Sequence, residues 1–293
     1  MHLPLKKLTN KLQAFALLMR WHRPIGILLL LWPTLWALCI AGAGKPSLKL
    51  TLVFICGVVL MRSAGCVIND FADRHFDGEV TRTRKRPIVS GEVTPVEALI
   101  LFAVLCVLAA GLLWPLNASA RLLAIPAVII TIIYPFLKRF THLPQLVLGI
   151  AFSWGVPMAF AATIGTVTTT GWLIFLIACI WPVAYDTLYA MVDRPDDLRI
   201  GIKSTAILFG NQDIKMVAAL HTLLLLLLVA LGISLSYQFY YYLGLFAAAV
   251  MMGYQQYLIR DRKPERCFQA FVNSQWAGCF ILVGLWLNYL IPT

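Results

Sequence analysis

Two groups of acidic residues lie at the ends of long apolar segments of this sequence. In the first group, Asn69, Asp73 and Asp77 are spaced four residues apart, so that they share one face if the chain is helical. In the second group, Asp193 and Asp197 have the same spacing. Carboxylates this close repel each other unless a positive charge lies between them. Their oxygens are hard ligands of the kind that Mg²⁺ prefers and that zinc and copper do not. The spacing therefore predicts two acidic clusters that bind Mg²⁺.

Basic residues accompany both acidic groups. Arg62 lies two turns before the first group, a basic run from Arg82 to Arg86 follows that group, and Lys203 follows the second. Tyr134 and Lys138 share a helix face at the end of another apolar segment. Mg²⁺ usually takes only one or two protein carboxylates and completes its shell with water and phosphate oxygens. This combination is typical of a diphosphate held between two metal-binding helices; loop charges that only solvate one another are the alternative.

The rest of the chain has the composition of a polytopic membrane protein. Of its 293 residues, 60% are hydrophobic and only 13% are charged, whereas a soluble domain is about half apolar and about a quarter charged. Nine apolar segments are long enough to cross the roughly 30 Å hydrocarbon core. We therefore predict an all-α membrane protein with about nine transmembrane helices in a single domain, residues 1–293. The segments lie near residues 24–43, 48–68, 95–115, 120–138, 143–163, 171–191, 215–235, 238–258 and 268–290.

The charges predict how these segments are oriented in the membrane. With the amino terminus inside, all 13 acidic residues and all of the 24 Lys and Arg residues except Lys45, Lys49 and Arg121 face the cytoplasm. This asymmetry follows the positive-inside rule, so the net charge of +11 reflects membrane topology and not nucleic-acid binding. We expect a bacterial inner-membrane protein whose amino terminus and active site face the cytoplasm and whose carboxyl terminus is periplasmic.

The first 23 residues predict a basic amphipathic helix. Apolar residues alternate at intervals of three and four, and lysines and arginines occupy the other faces, which suits a helix lying on an anionic membrane surface. A polar tail before the first membrane segment is the alternative. The apolar stripe consists of Leu5, Leu8, Leu12, Phe15 and Met19.

Several stretches resemble the UbiA superfamily of membrane prenyltransferases, and within it the enzymes that act on 4-hydroxybenzoate. These are the two acidic motifs NDFADRHFD and YDTLYAMVDRPDD, together with IGIKSTAILFG, RWHRPIGILLLLWPTLWAL and YPFLKRFTHLPQLVLGIAFSWGVPMAFAA. The resemblance implies helices bundled around a central cavity. It also implies Mg²⁺-dependent transfer of a polyprenyl group from polyprenyl diphosphate to the ring carbon ortho to the hydroxyl of 4-hydroxybenzoate, a membrane step of ubiquinone biosynthesis. The implied partners are these two substrates and the lipid bilayer, with no nucleic acid and no obligate protein partner.

The resemblance also implies a role for individual residues. Two Mg²⁺ ions are expected to bind together with the diphosphate. Arg139 and Tyr134 are expected at the aromatic substrate, and Asp70, Asp186 and Tyr189 are expected to support the site. The expected metal ligands are Asn69, Asp73, Asp77, Asp193 and Asp197, and the expected diphosphate-binding residues are Lys138, Arg23, Arg62 and Lys203.

Two alternatives to this function stay open. Prenyltransferases whose acceptors are homogentisate, naphthoate or haem share both acidic motifs, so the acceptor is a separate question. An ion-coupled transporter could also carry acidic residues in its helices. However, transporters usually place their sites near the bilayer midplane, whereas the acidic residues of this sequence cluster at one face.

Overall fold

The computed structural model describes residues 3–137 and 139–291, with side chains from residue 9 onwards. The regular structure of this part of the chain is entirely helical. Lys138 lies outside the described residues, as do the side chains of Leu5 and Leu8. The helices in chain order are α1 Leu3–Leu18, α2 Ile25–Ala41, α3 Leu48–Asp73, α4 Pro95–Gly111, α5 Ala118–Leu137, α6 Pro144–Ser153, α7 Gly155–Ile164, α8 Thr169–Ile200, α9 Thr205–Phe209, α10 Asp213–Ser234, α11 Phe239–Ile259 and α12 Pro264–Leu290.

Each predicted membrane segment coincides with one of these helices or with two in succession. By length and composition, six helical stretches of the described chain can cross a membrane, among them α3, α5, α8 and α12. Helices α2 and α4 are apolar but shorter. The predicted all-α membrane fold is therefore confirmed, whereas the count of nine transmembrane helices stays a prediction.

The interior of the bundle is held together by aromatic packing between α2, α8 and α12. The rings of Trp36 and Trp181 stack with their centroids 5.5 Å apart, and the indole N–H of Trp36 donates to the carbonyl of Gly278 at 3.0 Å. Helices α6 and α8 also approach closely, because a Cβ on Gly149 would lie 2.4 Å from the carbonyl oxygen of Cys179. These contacts fix α8, which carries the second acidic motif, at the centre of the bundle.

Helix α3 ends inside the first acidic motif. Its last residue is Asp73, and residues 74–94 form a series of turns. The prediction that Asp77 shares a helical face with Asn69 and Asp73 is therefore wrong, because Asp77 lies beyond the helix. Gly78 has a low helix propensity, and the carboxylate of Asp77 is bound by a later residue of the same turns. The N–H of Asp77 still donates to the carbonyl of Asp73 at 2.9 Å, which keeps Asp77 close to the helix end.

Helix α8 continues well beyond the predicted membrane segment, which ends near residue 191. It includes Pro195 and ends at Ile200, where Gly201 adopts a left-handed conformation with φ of 73°. Glycine adopts this conformation without steric cost. Asp193 and Asp197 therefore do lie one turn apart on a single helix, as the spacing predicts.

Helix α1 confirms that the described amino-terminal residues are helical, and part of the predicted stripe packs on the bundle. Phe15 and Met19 pack on α3 and α4, whereas Leu12 is 57% exposed. The ammonium of Lys11 binds the carboxylate of Glu97 on α4 at 2.6 Å.

Candidate active site

Two adjoining cavities lie where α3 and α8 end. The smaller one has a volume of about 150 Å³, and its wall comes from α3, the turns after it, α8, the segment that precedes α9, the end of α5 and the start of α6. All five predicted metal ligands line it, so the fold brings the two acidic motifs together although more than a hundred residues separate them. These ligands are Asn69, Asp73, Asp77, Asp193 and Asp197.

The larger cavity has a volume of about 760 Å³ and extends between the membrane helices. Apolar side chains of α2, α3, α5, α6 and α7 form most of its wall, most of its charged side chains belong to the acidic motifs and the arginines around them, and Arg121 lines it from the start of α5. The space is therefore suited to an amphiphile whose charged head lies among the acidic motifs and whose apolar tail lies between helices. Six residues line both cavities and form the border between them: Asn69, Arg82, Arg86, Tyr134, Asp186 and Tyr189.

Arg82 and Arg86 neutralise the acidic motifs. The guanidinium of Arg82 donates to both carboxylate oxygens of Asp193, at 3.0 and 2.5 Å, and lies over the ring of Tyr189 at 4.5 Å. Arg86 pairs with Asp77 at 2.6 Å. The sequence shows both arginines in a basic run, but it predicts no partner for either, because their positions depend on the turns between α3 and α4.

Asp70 is buried between two guanidinium groups. Arg20 binds both of its oxygens at 2.9 Å, and Arg86 pairs with it at 3.0 Å. Burial lowers the pKa of the Arg86 guanidinium, but the carboxylates of Asp70 and Asp77 outweigh burial and raise the pKa above its ordinary value. Arg86 therefore stays charged. Asp70 faces these arginines and lines the larger cavity, which agrees with a supporting role.

The predicted diphosphate-binding residues are divided between the two cavities. Lys203 lines the smaller one, and its ammonium donates to the carbonyl of Phe140 at 3.2 Å. Arg23 and Arg62 line the larger one. Arg62 lies within α3, where its guanidinium is 5.4 Å from the ring centroid of Phe152 and its buried Nε has no hydrogen-bond partner.

The two residues predicted at the aromatic substrate lie in different environments. Tyr134 lies on the border of the two cavities. Arg139 is exposed and is absent from the walls of both described cavities. It donates to the carbonyl of Ala72 at 2.5 Å and lies 5.1 Å from the ring centroid of Phe76. The structure thus places Tyr134 on the walls of both cavities, whereas Arg139 contacts the first acidic motif from outside both described cavities.

Gln145 is a site residue that the sequence analysis did not identify. It is buried near the start of α6 and lines the smaller cavity. The oxygen of its side chain accepts the N–H of Thr205 at 3.1 Å, and Asp186 lines the same cavity. Gln145 therefore holds the segment that carries Lys203 against this cavity. The only sign of Gln145 in the sequence is that it is a single polar residue near the start of an apolar segment.

Comparison with known proteins places this architecture in a family. Residues 30–283 match the model of the UbiA prenyltransferase family. The chain belongs to this family. It is 53% identical over 282 residues to the 4-hydroxybenzoate octaprenyltransferase of Coxiella burnetii (strain CbuK_Q154), an alignment that covers 96% of this chain and 98% of the relative. It is 54% identical over 281 residues to the protein of that name from Nitrosococcus oceani, with 96% and 99% covered.

Solved structures agree with this UbiA assignment. A UbiA homolog from Aeropyrum pernix K1 superposes with a TM-score of 0.76 at 24% identity, covering 87% of this chain and 96% of the homolog. A UbiA homolog from Archaeoglobus fulgidus bound to GPP and Mg²⁺ gives a TM-score of 0.68 at 17% identity, covering 95% and 100%. The predicted family and fold are confirmed, and the protein is an integral membrane prenyltransferase.

The donor set of this UbiA protein fits a divalent cation that binds together with a phosphate group. Within residues 3–137 and 139–291, no three Asp, Glu, His or Cys side chains converge closely enough to hold a metal ion by themselves. Mg²⁺ does not need three, because it takes one or two carboxylates and fills its remaining positions with water and phosphate oxygens. The smaller cavity is lined by two amides and five carboxylates, which come from both acidic motifs and from Gln145, and this set matches that requirement.

Proposed function

We propose that this enzyme transfers a polyprenyl group from polyprenyl diphosphate to the ring carbon ortho to the hydroxyl of 4-hydroxybenzoate. The observation that carries the proposal is the junction of a small acidic cavity with a large apolar one. The relatives at 53% and 54% identity are named 4-hydroxybenzoate octaprenyltransferases. The Archaeoglobus fulgidus homolog that shares the fold was solved with GPP and Mg²⁺.

Two Mg²⁺ ions would bind in the smaller cavity. Asn69, Asp73 and Asp77 would hold one, and Asp193 and Asp197 would hold the other. When bound, Mg²⁺ supplies positive charge that stabilises the negative charge developing on the diphosphate leaving group.

The arginines and lysines around this cavity would complete the binding of the diphosphate. Arg82 and Arg86 line both cavities, so their guanidinium groups can contact phosphate oxygens without leaving the wall. Arginine binds such oxygens through two parallel hydrogen bonds. Lys203 lies on the wall of the smaller cavity and Arg23 on that of the larger. Lys138 is proposed on the family resemblance alone.

The apolar cavity would protect the reaction from water. As the C–O bond to the diphosphate breaks, an allylic cation forms, and its carbon bonds to the ring of the acceptor. The rings of Tyr134 and Tyr189, on the border of the cavities, can stabilise the cation through their π faces. The ring carbon then loses its proton, for which the carboxylate of Asp186 and the released diphosphate are the available bases.

Two guanidinium groups could hold the carboxylate of the acceptor. Arg139 would have to leave the carbonyl of Ala72 to do so. Arg62 lines the larger cavity, and it lies seven residues before Asn69, or about 10 Å along the helix. An acceptor whose ring meets the prenyl group beside the diphosphate would direct its carboxylate away from the diphosphate, towards Arg62. We therefore favour Arg62 for the acceptor, and Arg139 is the alternative.

The same arrangement supports the proposed orientation in the membrane. We propose that the chain forms one domain, residues 1–293, in the bacterial inner membrane, with its amino terminus and both cavities' polar ends at the cytoplasm and its carboxyl terminus in the periplasm. The supporting observation is that both acidic motifs and their arginine partners lie at one end of α3 and α8. The charged head of the prenyl diphosphate and the water-soluble aromatic acid would both reach that end from the cytoplasm.

A membrane assay tests the reaction. Membranes that contain the protein are incubated with radiolabelled polyprenyl diphosphates of graded length, with Mg²⁺ or EDTA, and with 4-hydroxybenzoate, homogentisate or a hydroxynaphthoate. We expect a prenylated product from 4-hydroxybenzoate that requires Mg²⁺. Faster turnover of another acceptor would overturn the acceptor assignment, and the absence of product from every pair would overturn the proposed reaction.

A further inference from the structure

In the last two turns of α8, side chains other than that of the metal-ligand candidate Asp197 contact the turns that follow α3. Asp193, Asp196 and Arg199 are spaced three residues apart, so they form a row along one side of the helix. Asp197 lines the smaller cavity, whereas Asp196 and Arg199 are absent from the walls of both described cavities. Their contacts are to residues 79–82, in the turns that carry Arg82.

Two of these contacts bind the main chain of residues 79–82. The carboxylate of Asp196 accepts the backbone N–H of Thr81 at 2.9 Å. The guanidinium of Arg199 donates to the backbone carbonyl of Glu79 at 2.7 Å and lies 3.7 Å from the carboxylate of Asp196. The side chain of Glu79 is exposed and takes no part in these contacts. Side chains of α8 therefore bind the backbone of the residues immediately before Arg82.

The third contact is made by Arg82 itself. Its guanidinium binds Asp193 and stacks on Tyr189 at the border of the cavities. Because the Arg82 side chain starts from the backbone next to Thr81, a shift of that backbone moves the guanidinium away from its position. A displacement of about 1 Å at a group that positions a substrate can cost about a hundredfold in rate.

We propose that Asp196 is a positioning residue, which docks residues 79–82 on α8 and so places Arg82 at the border of the two cavities. The docking itself is independent of the reaction. Its consequence for catalysis rests on the proposed function, in which Arg82 contacts the diphosphate. Asp196 is thus distinct from its neighbour Asp197, which is proposed as a metal ligand.

Limited proteolysis measures the docking without any substrate. Arg84 and Lys85 are exposed just beyond the docked residues, so trypsin cleavage there reports on opening of the turns. We expect Asp196→Ala to be cleaved about fivefold faster than the original protein, because one hydrogen bond is lost. Asp196→Asn retains an oxygen that accepts from Thr81 and should be cleaved at nearly the original rate. Glu79→Gln is the matched control, since it removes an acidic side chain from the same turns but no docking contact.

Steady-state kinetics measure the consequence. Asp196→Ala should raise KM for the polyprenyl diphosphate about tenfold or more, with little change in KM for 4-hydroxybenzoate or in the Mg²⁺ concentration at half-maximal rate, and Asp196→Asn should restore KM. If Asp196→Ala does not fold, Arg199→Ala serves in its place, because that side chain is 63% exposed and its loss opens the same turns.

Three results would overturn the inference. Equal defects in the Asn and Ala variants would indicate a role for charge alone, and a shifted Mg²⁺ requirement in Asp196→Asn would indicate a metal ligand. Unchanged trypsin cleavage in Asp196→Ala would show that no docking depends on it. If the original protein formed no prenylated product, the proposed function would fail, whereas faster cleavage of Asp196→Ala and normal cleavage of Asp196→Asn would still support the docking.

Discussion

Replacement of Asp193 by Asn removes one negative charge from the site with almost no change in shape. The Asp193 side chain is 14% exposed, and the smaller cavity lies beside it, so an amide of the same size fits. We expect kcat to fall by ~10²–10³, the usual loss when one group that stabilises developing charge is removed. At about 1.4 kcal/mol per tenfold, this corresponds to ~3–4 kcal/mol of barrier.

The same replacement has a smaller effect on stability. Asp193 binds Arg82 through two hydrogen bonds, and the Arg82 side chain is 26% exposed. Asn keeps one acceptor oxygen, and the partly exposed guanidinium retains access to water, so we expect a loss of about 1 kcal/mol. A loss of stability of this size would unfold only a small fraction of the protein at the assay temperature, so partial unfolding cannot account for the expected fall in kcat.

The assay is the rate of prenyl transfer as a function of Mg²⁺ concentration, at saturating substrates, with thermal unfolding measured on the same preparations. Asp261→Asn is the control, because Asp261 is a half-exposed acid that pairs with Arg266 at 3.0 Å and is absent from both cavities. A double variant with Arg82→Gln separates two roles. If Asp193 only held Arg82 in place, the double variant would be no slower than Arg82→Gln. That result, or kcat within about threefold of the original at saturating Mg²⁺, would refute the assignment of Asp193 as a metal ligand.

Three further predictions concern the acceptor, the orientation and the packing. Arg62→Ala should raise KM for 4-hydroxybenzoate about tenfold or more and KM for the prenyl diphosphate much less; the reverse pattern would return Arg62 to the diphosphate. In a background without reactive cysteines, Thr166→Cys should react with an impermeant thiol reagent added to intact cells and Arg84→Cys should not, because the charge asymmetry places them on opposite sides; labelling at residue 84 would invert the proposed topology. Gly149→Ala should lower the free energy of unfolding by ~1–3 kcal/mol, since its Cβ would lie 2.4 Å from a carbonyl of α8. Gly253→Ala meets no atom within 4 Å and should raise the free energy of unfolding by up to about 1 kcal/mol, because alanine has the higher helix propensity.

The sequence predicts the acidic centre of the site well because that centre depends on local spacing. Asn69 and Asp73 lie one turn apart on α3, and Asp193 and Asp197 lie one turn apart on α8. Each pair follows an apolar stretch that must cross the bundle. Long helices of this kind keep their periodicity up to their ends, so residues counted along the sequence keep their relative positions in the structure.

The residues around that centre could not be predicted in the same way, because tertiary contacts position them. Arg20 reaches Asp70 from the turn after α1 and adopts a left-handed backbone with φ of 62°, which no periodic pattern indicates for an arginine. Arg82 binds Asp193 and Gln145 binds the backbone of Thr205, and both partners are distant in sequence. Asp77 departs from the predicted helix because its partner, Arg86, lies in the turns and not on α3.

The two central helices carry polar residues at identical intervals, and this explains how one site can serve two anionic substrates. On α3 the order is Arg62, Asn69, Asp73, and on α8 it is Asp186, Asp193, Asp197, so both helices have intervals of seven and four residues. The last two positions of each row line the smaller cavity, and the first position of each lines the larger one, about 10 Å away along the helix, although Asp186 also lies on the wall of the smaller one. Arg62 and Asp186 attract each other electrostatically at that deeper level. In the proposed reaction, the diphosphate would bind among the acidic residues through metal ions and arginines, while the carboxylate of the acceptor would bind Arg62 and leave Asp186 available to accept a proton.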